Sequence, residues 1–160
     1  MKPGKIAGIG AGVFILDEAV KQTVEETFDR GEERKIAGGR AVLRKVYNEG
    51  AALGLFGGHP KVLRRVSLAV CAAALLYDAW LLKEKRRPVR KLGMMLFTGG
   101  AFSNLFDRLA RGRVIDYVGF ETSCPRLRSI TFNLGDLAIV SGMILVMISS
   151  LKKSPLPDRE

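Results

Sequence analysis

FNLGDLAIVSGMILVMISSL, residues 132–151, decides what kind of protein this is. After Asp136 it carries no charge until Lys152 and Lys153 close it. A helix of about 20 apolar residues rises about 30 Å, the thickness of a bilayer's hydrocarbon core. Buried helices of soluble bundles rarely run so far without a polar face. The stretch therefore reads as a membrane span, and three others resemble it: Ile6–Val24, Val66–Leu82 and Leu92–Leu109, with Phe132–Leu151 as the fourth. The expected fold class is an all-α membrane protein of four transmembrane helices. A soluble bundle is the competing reading.

Bulk composition hides this. Over 160 residues, 48% apolar and 26% charged would suit a soluble domain. The two classes are segregated, however. Ser67–Leu82 holds one charge, Asp78, and neither Gly93–Phe106 nor Leu137–Leu151 holds any. Lys83, Lys85, Arg86, Arg87, Arg90 and Lys91 crowd together between spans. So much apolar surface excludes intrinsic disorder. Two cysteines, Cys71 inside an apolar run and Cys124, make no disulfide framework. One histidine, His59, makes neither a zinc site nor a Cys–His nucleophile.

Short basic loops face the cytoplasm. Placing Lys83–Lys91 there puts both termini inside and leaves segments 25–65 and 110–131 outside. The arginines of those outer segments are diluted by Glu25, Glu26, Asp29, Glu32 and Glu33. The net charge of +10 is then chiefly a topology signal with attraction to anionic headgroups. The basic residues lack interleaved aromatics, so no nucleic acid is expected as a partner. MKPGK before an apolar run also fits a cleavable secretory signal. No small-x-small site follows before Asp17, which favours an uncleaved first helix.

Ionisable groups inside a bilayer are costly and mark function by default. Asp17 and Lys21 share one face of the first helix; Asn104, Asp107 and Arg108 share one on the third, and Asn133 and Asp136 one on the fourth. These faces must meet one another rather than lipid. The topology brings Asp116 and Asp136 to one level near the outer membrane–water boundary. Two carboxylates a few ångströms apart share a proton, as an aspartic protease requires. Salt bridges are the plainer reading for the others: Asp17 with Lys21, Asp107 with Arg108 or Arg111, and for Asp116 a bridge to Arg113. Asp136 has no basic residue within a turn.

Residues 35–48, KIAGGRAVLRKVYN, alternate around a Gly38-Gly39 turn and read equally as a small extracytoplasmic β-ribbon or an ordinary loop. The ribbon would deliver Asn48 toward a substrate backbone. Gly8-Ile9-Gly10-Ala11-Gly12 hints at a dinucleotide fingerprint, but Val13 and the missing strand favour close helix packing. Tyr77 and Trp80 suit interface anchors. A Ser103–lysine protease would have only Lys21 to call on.

Taken together, VYNEGAALGLF (46–56), GGAFSNLFDRLARGRVIDYVGF (99–120) and FNLGDLAIVSGMIL (132–145), preceded by LDEAVK (16–21), resemble the lipoprotein signal peptidase (signal peptidase II) family over most of the chain. The resemblance implies a bacterial plasma-membrane, multi-pass aspartic endopeptidase. Such an enzyme cleaves prolipoproteins just before a diacylglyceryl-modified cysteine, in contact with membrane lipid and without metal or cofactor. The family's catalytic aspartates fall on Asp116 and Asp136. Its supporting positions fall on Asp17, Lys21, Asn48, Gly50, Asn104, Asp107, Arg108 and Asn133. Three positions depart from its usual pattern: Ser103 for glycine, Gly135 for alanine and Leu53 for an aromatic. The expected organisation is a single four-helix transmembrane peptidase domain, 1–160, acting as a monomer. A proton- or ion-coupled transporter is the alternative from another class, though the inner half of the fourth span offers little polar path. A divergent non-catalytic paralogue is another.

Overall fold

The computed structural model describes residues 3–50, 59–84 and 86–151. Leu53, Lys85 and the tail from Lys152 lie outside the described residues. The chain runs α1 (Pro3–Thr27), β1 (Glu33–Ile36), a short 3-10 turn (Ala37–Gly39), β2 (Ala41–Asn48), α2 (Pro60–Lys83), α3 (Pro88–Ala110), β3 (Val114–Phe120), α4 (Pro125–Arg128), β4 (Thr131–Phe132) and α5 (Leu134–Leu151). The four long helices cover the four apolar stretches. α2 and α3 begin several residues earlier than hydropathy suggested, each on a proline whose fixed φ suits a first helical turn.

Two of them, α2 and α5, are long and apolar enough to cross a membrane. α1 and α3 are as long but carry ionisable residues, and those on the polar faces read from the sequence turn inward. Asp17, Lys21, Asn104 and Asp107 are all buried, while Ile15, Leu16 and Phe106 are exposed. α3 is the central helix, packed most extensively on α5, then on α1 and α2. Glycines set the spacing. Gly99 meets the backbone of Gly10, Gly100 that of Gly135, and Gly93 that of Gly142, so a methyl at any of them would strike main chain. The small-residue run in α1 is thus a packing device at Gly10; Gly8 and Gly12 have nothing within 4 Å. Both cysteines are free, Cys71 buried and Cys124 exposed.

Outside the bundle lies more than a ribbon. β1 and β2 pair around the predicted glycine turn, where Ala37, Gly38 and Gly39 all take positive φ. The other segment expected outside, 110–131, supplies β3 and, with Phe132 from the start of the expected fourth span, β4, completing an antiparallel sheet in the order β1-β2-β3-β4. Residues Val114–Tyr117 are all buried, so VIDYVGF lacks the alternation that marks a half-exposed strand. Ile115 and Tyr117 pack on Val24 and Phe28 at the end of α1. Asp116 and Val114 face the other way, into a cavity. Arg111 and the left-handed Gly112 (φ 75°) close α3 and redirect the chain into β3.

Candidate active site

Asp116 sits on β3 opposite Val46 of β2, and Asn48 lies two residues along on the same face. Asn48 Nδ2 therefore reaches Asp116 Oδ2 at 2.9 Å. Asp136 arrives from the first turn of α5, where its backbone N–H donates to Asn133 Oδ1 at 2.8 Å. Asn133 ties the two together. Its Nδ2 donates to Asp116 Oδ1 at 2.7 Å and to Asn104 Oδ1 at 3.1 Å, while Asn104 Nδ2 donates to Asp136 Oδ1 at 2.7 Å. Both carboxylates line one cavity of about 500 Å³, walled by Val70, Cys71 and Phe97 on the helix side and Phe132 on the sheet side.

Every side-chain donor on these two carboxylates, among the described residues, is an amide. Among the described residues neither enters an ion pair, and the expected Asp116–Arg113 bridge is absent: Arg113 lies over the Tyr47 ring, 3.5 Å from its centroid. Arg108 lines the cavity, but its guanidinium donates to the carbonyls of Asn104 and Gly50, both at 3.1 Å. That contact is where Gly50 enters the site. Burial, then the charge of Asp136, push the Asp116 carboxyl up to about 6, against the pull of the Asn48 and Asn133 amides.

The remaining predicted residues form a second acidic cluster beside the first. Lys21 Nζ lies 2.9 Å from Asp17 Oδ2 and 3.0 Å from Asp107 Oδ2, and all three side chains are fully buried. Arg111 pairs with Asp107 and, at 2.7 Å, with Glu18. Two of the expected bridges are thus present, Asp17 with Lys21 and Asp107 with Arg111. Each buried aspartate also grips backbone. Asp107 Oδ2 accepts Ile115 N–H at 3.1 Å, one residue before Asp116. Asp17 Oδ1 accepts Leu134 N–H at 3.0 Å, two residues before Asp136. Lys21, between them, fixes the strand and the helix that carry the two cavity aspartates.

Three participants escaped the sequence reading. Tyr117 donates to Asp17 Oδ1 at 2.9 Å; burial and the neighbouring Asp17 charge push its phenol well above the usual range, leaving a permanent O–H donor. Glu18 joins through Arg111. Ser103, predicted only as a close-packing departure or a weak nucleophile, accepts from Lys21 Nζ at 2.7 Å. That is the reach of a Ser–Lys dyad, yet Lys21 is committed to two carboxylates and Ser103 is fully buried. No substrate carbonyl can approach it.

Comparison with known proteins identifies the family and the fold. The family described as Signal peptidase (SPase) II matches residues 9–152. A lipoprotein signal peptidase of Trichormus variabilis is 36% identical over 142 residues, covering 89% of this chain and 86% of the relative. One from Syntrophomonas wolfei is 38% identical over 147 residues, covering 92% and 93%. One from Ralstonia nicotianae is 33% identical over 156 residues, covering 94% and 86%. Among solved structures, a bacterial membrane enzyme determined by the in meso method at 2.3 Å superposes with a TM-score of 0.83 at 23% identity, covering 98% of this chain and 94% of that one. A second, at 1.9 Å, gives 0.79 at 22% identity.

Proposed function

The chain belongs to the signal peptidase II family, and from that premise we propose that Asp116 and Asp136 are the catalytic pair of an aspartic endopeptidase. Its function is the family's, removal of signal peptides from prolipoproteins. The observation that carries the aspartic assignment is the shared cavity, in which two carboxylates from separate elements are held by amides alone.

Coupled across that cavity, the pair keeps one proton. The ionised member takes a proton from a water molecule, and the water oxygen attacks the scissile carbonyl carbon. The protonated member donates to the carbonyl oxygen as it becomes tetrahedral. When the C–N bond breaks, the leaving amine takes the proton first drawn from water, a hydroxyl of the diol returns its proton to the other carboxylate as the C=O re-forms, and the pair is back in its starting state. Asn48, Asn104 and Asn133 hold the carboxylate oxygens in register throughout. The chemistry draws on no metal or cofactor.

The cut falls just before a diacylglyceryl-modified cysteine. A groove between α3 and α5, lined by Met94, Met143 and Met147, continues into the cavity past Phe97 and Val140, a route for acyl chains between helices. All four long helices cross the bacterial plasma membrane, with the sheet outside, both termini cytoplasmic and the chain working as a monomer. This orientation is supported by the sheet gathering at the Asp107–Asp136 end, while the basic end of α2 at Lys83 and the start of α3 with Arg90 and Lys91 lie at the other. The test is cleavage of a diacylglyceryl prolipoprotein by reconstituted Asp116→Asn and Asp136→Asn proteins. Each loses turnover by about 10³-fold or more, at the upper end of general acid–base effects. Normal turnover in either variant refutes the assignment.

A further inference from the structure

We propose that Ser103 is a positioning residue for the cleavage reaction and that its hydroxyl makes glycine obligatory at position 135. The inference rests on the reading of Asp136 as one of the reacting carboxylates. Ser103 Oγ lies 2.6 Å from Asp17 Oδ2 and 2.6 Å from Glu18 Oε1, and it accepts from Lys21 Nζ at 2.7 Å. Asp17 Oδ2 is also held by Lys21 at 2.9 Å. The other oxygen, Oδ1, takes the Tyr117 O–H at 2.9 Å and the Leu134 N–H at 3.0 Å. The carboxylate is therefore gripped on both oxygens, and one of those grips is the opening residue of α5. The Leu134 N–H also reaches the Tyr117 hydroxyl at 2.9 Å, so Asp17 and its Tyr117 partner together seat the first turn of α5 and its Asp136.

The space beside this carboxylate is already full. A methyl group on residue 135 would stand 2.8 Å from Asp17 Oδ2, 3.1 Å from the Gly100 carbonyl oxygen and 3.1 Å from Asn133 Oδ1. Two of those neighbours cannot give way. The Gly100 carbonyl belongs to the backbone of the central helix, and Asn133 Oδ1 accepts the Asp136 N–H at 2.8 Å. Relief must come from Asp17, whose Oδ2 is held by Lys21 Nζ at 2.9 Å and hemmed in by the Ser103 hydroxyl at 2.6 Å, the nearer of the two. Residues 103 and 135, on different helices, thus share one volume through the carboxylate between them. A side chain at 103 requires its absence at 135, and an alanine at 135 drives Asp17 off the Leu134 N–H and rotates Asp136 away from Asp116.

A four-protein cycle of the full chain tests this: wild type, Ser103→Gly, Gly135→Ala and the double variant, assayed on a diacylglyceryl prolipoprotein. Gly135→Ala should lower kcat about tenfold or more with KM within about twofold, the mark of lost transition-state geometry. The double variant should recover most of that loss, because removing the hydroxyl lets Asp17 withdraw. Additive losses overturn the proposal. So does a cycle in which only the unfolding midpoint moves while kcat and KM stay at wild type, since Ser103 would then be structural alone. If Gly135→Ala does not fold, yield and unfolding midpoint take over: folding regained in the double variant supports the shared volume, and folding equally lost overturns it. Failure of this cycle with Asp116→Asn and Asp136→Asn inactive sinks the inference alone. Turnover by those two variants sinks the functional reading first.

Discussion

The molecule holds two acidic pairs side by side, and it treats them in opposite ways. Asp17 and Asp107 face Lys21, with Arg111 on the flank, and both use their spare lone pairs to pin backbone N–H groups. Asp116 and Asp136 face asparagine amides, and the nearby Arg108 is turned to main-chain carbonyls instead. An ammonium settles the charge of its neighbours. An amide donates to a carboxyl oxygen without settling whether that group is protonated, so the second pair is left with a proton to share. The first pair is architecture, and the second is the one we assign to catalysis. What separates them is the donor opposite, since the residue type is the same.

The largest effect should come from taking the cation out of the structural pair. Lys21→Ala leaves two fully buried carboxylates facing each other. The loss should be about 3–5 kcal/mol, read as a fallen unfolding midpoint in detergent. A midpoint close to wild type would mean that Lys21 does not organise the cluster.

Next in size is a pH effect on stability belonging to Asp116. Its carboxyl is raised from 3.8 to about 6 in the fold. A raised acid favours the folded state most below 3.8, and that contribution is lost as pH rises through about 6. The wild type should therefore lose up to about 3 kcal/mol relative to Asp116→Asn between those limits, the free-energy equivalent of the shift. Parallel pH–stability curves for the two proteins would contradict the assignment of that strain to Asp116.

A smaller change should convert one pair into the likeness of the other. Asn48→Lys sets an ammonium where an amide now reaches Asp116 at 2.9 Å. The cation holds Asp116 ionised, and turnover should fall about tenfold to a hundredfold at neutral pH, equivalent to about 1.4–2.7 kcal/mol. Unchanged turnover would show that amide surroundings are not what keeps the pair reactive. The smallest effect is a null one: serine-directed fluorophosphonates should leave cleavage untouched, because Ser103 and Lys21 are sealed in the structural cluster. Labelling of Ser103 with loss of activity would reverse the division between the two regions.

Much of this was legible in the chain itself, for identifiable reasons. Polar residues at spacings of three and four on otherwise apolar helices announce faces that must turn inward, and Asp17, Lys21, Asn104, Asp107 and Asn133 are all buried where that spacing put them. The sheet was harder to read. β3 is buried on both sides over Val114–Tyr117, so the strand lacks the apolar–polar alternation of a half-exposed one and its pairing with β2 leaves no periodic trace. Long-range partners were harder still. The bonds from Tyr117 and Ser103 to Asp17 span 100 and 86 residues, and nothing local signals them. Helical spacing favours Arg111, four residues on and on the same face, over the adjacent Arg108 as the partner of Asp107, and Arg111 is the one that pairs.

Titration of the Asp116 carboxyl, followed through a carbon-13 label in wild type and in Asp136→Asn, bears most directly on the coupling of the proposed catalytic pair. The account predicts a midpoint near 6 in wild type that drops when Asp136 is neutralised yet stays above 3.8, because burial persists after the neighbouring charge is gone. An Asp116 midpoint that does not move on removal of Asp136, or one already at 3.8 in wild type, would mean the two aspartates do not share a site.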